Sequence, residues 1–246
     1  MHLILRLNYV YIFPGVRFPN WYDGYQDKGY DVDKQTSLFP KIFVGTEARD
    51  YFDPKWGGHP VYMSFFIQRW LGAVGADRGT PVGGGWFDSL GTDPRTYVEQ
   101  GRQTILGGAR ESFMFHYGGL QEGLNAEDVL ALRQNQKELL AVAAEVGKRE
   151  LIGIAAFKPV NSHGGCGAGW HNGGAASDKC AHSSEVQVFD FLGMLGLPVL
   201  PTATFPHGAK SAFFSIHALK DPSFVMDFKS LLRNQTAGLC ATARCR

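Results

Sequence analysis

Two carboxylates, an imidazole and several aromatic side chains sit where apolar runs of this sequence break off. KIFVGTEARDYF (41–52) passes from Ile42-Phe43-Val44 to Glu47, Arg49 and Tyr51. TPVGGGWFDSLG (80–91) ends its apolar run on Asp88, behind Trp86 and Phe87, and ESFMFHYGG (111–119) ends on His116 and Tyr117. An apolar run cut off at a charge reads as a buried strand whose carboxyl end emerges at a ligand site. A pair of carboxylates there can cleave a glycosidic bond by acid–base or nucleophilic action. Rings such as Tyr51, Trp56, Trp86 and Tyr117 suit the apolar C–H faces of a sugar, and Arg49 beside Glu47 favours the ionised carboxylate. The same residue types have a structural reading: strand-end acids cap loops or pair with Arg, and Trp and Phe fill cores. The residues alone leave both open.

Positioning such groups requires regular elements. KIFVGT predicts a strand, and PVYMSFFIQRWLGAV (60–74) has helical spacing with Pro60 near its first turn. TPVGGGWF predicts a second strand. DPRTYVEQGRQTILGGA (93–109) predicts a helix with Asp93 as N-cap and Pro94 at the first helical position. ESFMF predicts a third strand, and NAEDVLALRQNQKELLAVAAEVGK (125–148) a third helix with Asn125 as N-cap. An earlier strand is expected within LILRLNYVYIF. Alternating strands and helices with short loops predict an α/β protein with parallel strands. Three units cannot close an eight-stranded barrel, so a barrel reading makes residues 1–148 a partial one.

A second section, residues 149–246, opens on ELIGIAAFKPV (150–160), a buried-strand pattern. A Gly-rich insert (162–184), a helix-like EVQVFDFLGMLG (185–196), a strand candidate in LPVLPTATF and a helix within HALKDPSFVMDFKSLLRN follow. The tail NQTAGLCATARCR has no periodicity and is expected to fray. Its NQT sequon reads as chance without a signal peptide.

The order of GTEARD, GGGWFDSLG and PRTYVEQGRQTILGGARESFMFHYGGL resembles the last strands of a glycoside-hydrolase-type (β/α)8 barrel. FDFLGMLGLPVLPTATFP followed by HALKDPSF is similar to the start of the glutamine-amidotransferase-like domain that follows the barrel in family-42-type β-galactosidases. The resemblance covers roughly residues 41–230. It implies a partial TIM barrel (1–148) followed by the start of a flavodoxin-like α/β domain (149–246) of the kind that forms trimers. It also implies that the nucleophile is a Glu on the penultimate strand. By residue type that place falls to Glu47, and by strand count to the unit ending at Asp88. Glu47 is preferred, with Asp88 as the second carboxylate and Arg49, Tyr51, Trp86, His116 and Tyr117 as substrate-binding residues. The family's general acid lies on an earlier strand, and a non-catalytic carbohydrate-binding or assembly fragment is the alternative.

Composition bounds the rest. The chain has 246 residues, 44% hydrophobic, enough for one large core or two modest ones. A net charge of +1 from 24 basic and 23 acidic residues, without a block of like charge, gives no sign of a nucleic-acid or membrane-surface partner. No cofactor is implied, and the expected partner is a carbohydrate. The start MHLILRLNYVYIF is interrupted by Arg6 and Asn8 and lacks a small-residue cleavage site, so a signal peptide is not expected. No run approaches the ~18 apolar residues of a membrane span, which makes the cytoplasm the default compartment. His163, Cys166, His171, Cys180 and His182 in the insert are zinc-ligand types, but their spacing matches no usual zinc pattern and no metal is expected. Cys166 also invites an amidotransferase-like nucleophile reading, yet GAGWHNGG after it is no helix. Open strand edges of a partial barrel predict self-association or poor stability.

Overall fold

The computed structural model describes residues 5–7, 42–46, 62–76, 82–88, 93–115, 126–159, 192–193, 195–215, 218–219 and 221–234. Its first sheet is built from β1 (Leu5–Leu7), β2 (Ile42–Gly45), β3 (Val82–Asp88) and β4 (Glu111–Phe115). The strands lie in the order β1-β2-β3-β4 and all pairs are parallel. Helix α1 (Met63–Ala76) connects β2 to β3, and α2 (Pro94–Leu106) connects β3 to β4. Helix α3 (Ala126–Val146) follows β4. The α/β alternation expected from the sequence is therefore present, with parallel strands. Among the described residues the sheet does not close into a barrel.

Both connecting helices cover one face of this sheet. Ser64 of α1 donates a hydrogen bond to the backbone oxygen of Thr46, just past β2. Thr104 of α2 meets the Thr46 hydroxyl from the same side. The glycines of β3 make that approach possible. A Cβ on Gly85 would lie 2.8 Å from Thr46 Cγ2 and 3.1 Å from Thr104 Cγ2, so any side chain would push sheet and helix apart. Asp93 caps α2 as expected, its Oδ1 accepting from Thr96 N at 2.7 Å with Pro94 next in the chain.

The second sheet has the order β6-β5-β7, from β5 (Ile154–Phe157), β6 (Val199–Thr202) and β7 (Ala212–Phe214), again all parallel. Strand β7 lies in KSAFFSI, which has no alternation long enough to predict it. Helix α4 (Phe224–Asn234) lays Phe224, Phe228 and Leu231 on this sheet at i, i+4 and i+7. They join Phe157, Phe205 and Phe214 in an aromatic cluster with neighbouring ring centroids 5.4–6.4 Å apart. Of the segment expected as a helix over 185–196, the described end closes on Gly196 at φ 76°. There Leu197 N donates to Leu192 O and Gly196 N to Gly193 O, the two bonds of a Schellman ending.

Helix α1 lies between the two sheets. Ser64, Phe66, Ile67, Gln68, Trp70, Leu71 and Val74 are all buried, which a helix covered on one side cannot achieve. Tyr62 Oη, at its start, donates to Gly193 O at 3.1 Å, ahead of β6. Two turns later Trp70 Nε1 donates to Lys158 O at 2.8 Å, just past β5. The second sheet therefore runs along α1, whereas β2 runs against it. Lys158 itself is buried, with its Nζ 5.8 Å from the Trp70 ring centroid.

Replacing a helical Gly by Ala ordinarily stabilises by up to about 1 kcal/mol. At Gly101 of α2 the new Cβ would sit 2.8 Å from Phe87 Cζ. Gly101→Ala is expected to destabilise instead, by about 1–3 kcal/mol in urea unfolding. An unchanged or raised midpoint would show that Phe87 can retreat.

Candidate functional site

The carboxyl ends of β2, β3 and β4 form one edge of the first sheet. Gly45, the last residue of β2, pairs with Trp86, and Asp88, the last of β3, pairs with Phe115, the last of β4. Trp86 and Asp88 thus stand at this edge by backbone register. Glu47, Arg49, Tyr51, His116 and Tyr117 lie outside the described residues, as do Asn125, the Cys/His insert and the tail after Asn234. Among the described residues no group of His, Cys, Asp and Glu could hold a metal ion, and no helix is long and apolar enough to cross a membrane.

What the described residues reveal is how the edge is anchored. Thr46 is fully buried, and its Oγ1 lies 2.6 Å from Thr104 Oγ1. Thr104 Oγ1 donates to Gln100 O at 2.8 Å, so its proton is committed and Thr46 is the donor of the pair. With Ser64 bonded to the Thr46 backbone oxygen, the residue preceding Glu47 is tied to both helices. One strand over, Phe87 is buried against Gly101, its ring centroid 5.1 Å from that of Tyr97. The residue preceding Asp88 is thus fixed by α2.

Charges on the outer side serve the helices. Arg102 of α2 binds Glu138 of α3 in bidentate fashion, Nε to Oε1 at 2.9 Å and Nη2 to Oε2 at 2.7 Å, and also pairs with Glu99. The Glu138 hydrogen bond raises the Arg102 pKa, and the same bond lowers that of Glu138. Sequence reasoning missed this outer clamp and the buried hydroxyls. An i, i+3 Glu99–Arg102 pair was the available signal for the first, and no local pattern links Thr46 to Thr104, 58 positions away.

The first section is thus a parallel α/β sheet with Trp86 and Asp88 at the carboxyl edge of its strands. The chain belongs to the family described as "Probable glycosyl hydrolase, catalytic domain", whose model matches residues 14–145, just over half of it. It is also similar to an uncharacterized protein of Saccharolobus solfataricus, 23% identical over 146 residues. That match takes in 56% of this chain and 23% of the relative, so the chain spans about a quarter of the relative's length. No solved structure matches the chain significantly.

If the Thr46–Thr104 bond is worth its geometry, a double-mutant cycle of Thr46→Val and Thr104→Val should give a coupling of about 1 kcal/mol in equilibrium unfolding. Strict additivity would remove the bond from the account. Asp93 supplies a pH test. Its carboxyl is held below the usual 3.8, first by the Thr96 backbone N–H and then by the Thr96 side chain. A depressed folded pKa gives stability present above the unfolded value and lost as pH falls through the folded one. Asp93→Ala should therefore cost about 1 kcal/mol near neutral pH and less at about pH 3. A cost that does not shrink in acid would deny the ionised cap.

Proposed function

We propose that this chain supplies part of the sugar-cleaving rim of a glycoside hydrolase. Glu47 serves as nucleophile or electrostatic stabiliser and Asp88 as the second carboxylate, with Arg49, Tyr51, Trp86, His116 and Tyr117 around the sugar. The supporting observation is the register: Glu47 is two residues past Gly45, and Asp88 two residues past Gly45's partner Trp86. Carboxylates that close on neighbouring strands suit acid–base or nucleophilic attack at one glycosidic bond, which needs no cofactor.

The same reading takes the first sheet as an arc of a (β/α)8 barrel. Its sequential strand order, with both connecting helices on one face, supports that. It takes residues 149–246 as the start of a flavodoxin-like domain of the amidotransferase-like kind. The order β6-β5-β7, with the earliest strand in the middle, supports the flavodoxin-like part. A non-catalytic sugar-binding or assembly piece is the second reading, favoured by the match covering 23% of the relative's length.

Incubation with a panel of nitrophenyl glycosides separates the two. Glu47→Gln and Asp88→Asn should each lower kcat by at least about 10²-fold while the unfolding midpoint stays put. A sugar that raises the melting temperature without any turnover would favour the binding piece. Neither turnover nor a shift would sink both readings.

A further inference from the structure

Three buried hydroxyls converge on one peptide at the rim edge. Thr46 just past β2, Ser64 of α1 and Thr104 of α2 are each fully buried. Thr46 Oγ1 donates to Thr104 Oγ1 at 2.6 Å, which donates on to Gln100 O at 2.8 Å, so this chain of hydroxyls ends on a helix carbonyl. Ser64 Oγ donates to the backbone oxygen of Thr46. That oxygen belongs to the same planar peptide unit as the nitrogen of the next residue. Holding it fixes the plane in which the chain leaves Thr46, while the Thr104 bond fixes the Thr46 side chain.

Cohesion between sheet and helices does not by itself call for this chemistry. Buried hydroxyls must all be matched, and apolar groups of the same shape hold such a contact about as well. The end of β3 shows that alternative in the same sheet, with the Phe87 ring seated against Gly101 and Tyr97. What hydrogen bonds add is direction. We infer that Ser64 and Thr104 are positioning residues that aim Glu47 at the scissile bond by way of Thr46, an inference that rests on the sugar-cleaving reading of the rim. Both are fully buried, so they act through Thr46 and not on the sugar.

The test is a kinetic comparison of whole-chain variants on the nitrophenyl glycoside that the wild type cleaves best, each well below its unfolding midpoint. Ser64→Ala and Thr104→Val should each lower kcat by about 10- to 100-fold and leave KM within about twofold, as expected for an interaction that matters in the transition state alone. Thr104→Ser keeps the hydroxyl and should retain most of kcat. Arg102→Gln breaks the outer clamp between α2 and α3 and should lower the midpoint with kcat unchanged. Should Ser64→Ala not fold, the two Thr104 variants decide. A loss carried by KM, an equal loss in Thr104→Ser, or an equal loss in Arg102→Gln would overturn the role. So would a kcat that Glu47→Gln abolishes but Ser64→Ala and Thr104→Val leave untouched, and that result would spare the sugar-cleaving reading. A wild type without turnover, or full kcat in Glu47→Gln, would overturn that reading and the role with it.

Discussion

The structure depends on one helix being buried from two directions. Most helices at a sheet face have a wet side, and their sequences show it as polar positions every three or four residues. In helix α1 the polar Ser64 and Gln68 are themselves buried, because the first sheet covers one side and the second sheet the other. The cohesive contribution is large, since fully burying a side chain the size of Phe66, Ile67 or Leu71 yields about 1.5–3 kcal/mol. The Trp70 indole needs a partner for its N–H in that dry seam, and the Lys158 backbone oxygen provides it. This bond fixes where the end of β5 lies along α1. The carboxyl ends of the two sheets consequently face opposite ends of the helix.

The same helix ties the core to the rim. The proposed role of Glu47 and Asp88 asks for strand ends that are stiff up to the residue before each, since small displacements at a reacting centre cost large factors in rate. The means here are hydroxyls and close-packed glycine. Ser64 and Thr104 bind the backbone and side chain of Thr46 from two helices, and Gly85 leaves the space in which they meet. Phe87 sealed under Gly101 does the equivalent for β3 without polar atoms. Two neighbouring strand ends are thus anchored by different chemistry to the same helix, α2.

Much of the α/β frame was legible because its elements are long and locally consistent. Asp93-Pro94 announced α2 by capping chemistry that needs no tertiary context, and the Ile-Phe-Val and Gly-Gly-Gly-Trp-Phe runs announced β2 and β3. Strand β7 was not legible, because three residues of Ala-Phe-Phe carry no period and become a strand only by pairing with β5. The buried hydroxyl pair was illegible for a related reason. Thr46 and Thr104 are 58 positions apart, and only the sheet–helix contact turns two ordinary threonines into a clamp. Parallel order converts sequence position into a shared edge, which is how Gly45, Asp88 and Phe115 come to end on the same side of the sheet.

A boundary read from composition and a boundary set by packing need not coincide. The family match ends at residue 145, and the second sheet begins at residue 154, close to where the sequence changes character. Yet Trp70, well inside the matched region, has its indole bonded to residue 158, and the start of α1 packs where β6 begins. Cutting the chain between these sections would leave Phe66, Ile67, Trp70 and Leu71 without their second cover and the Trp70 N–H without its buried partner. Because Ser64 belongs to the same helix, any loosening of α1 reaches the backbone of Thr46. One continuous path of packed and hydrogen-bonded groups therefore joins the second section to Thr46, the residue before Glu47.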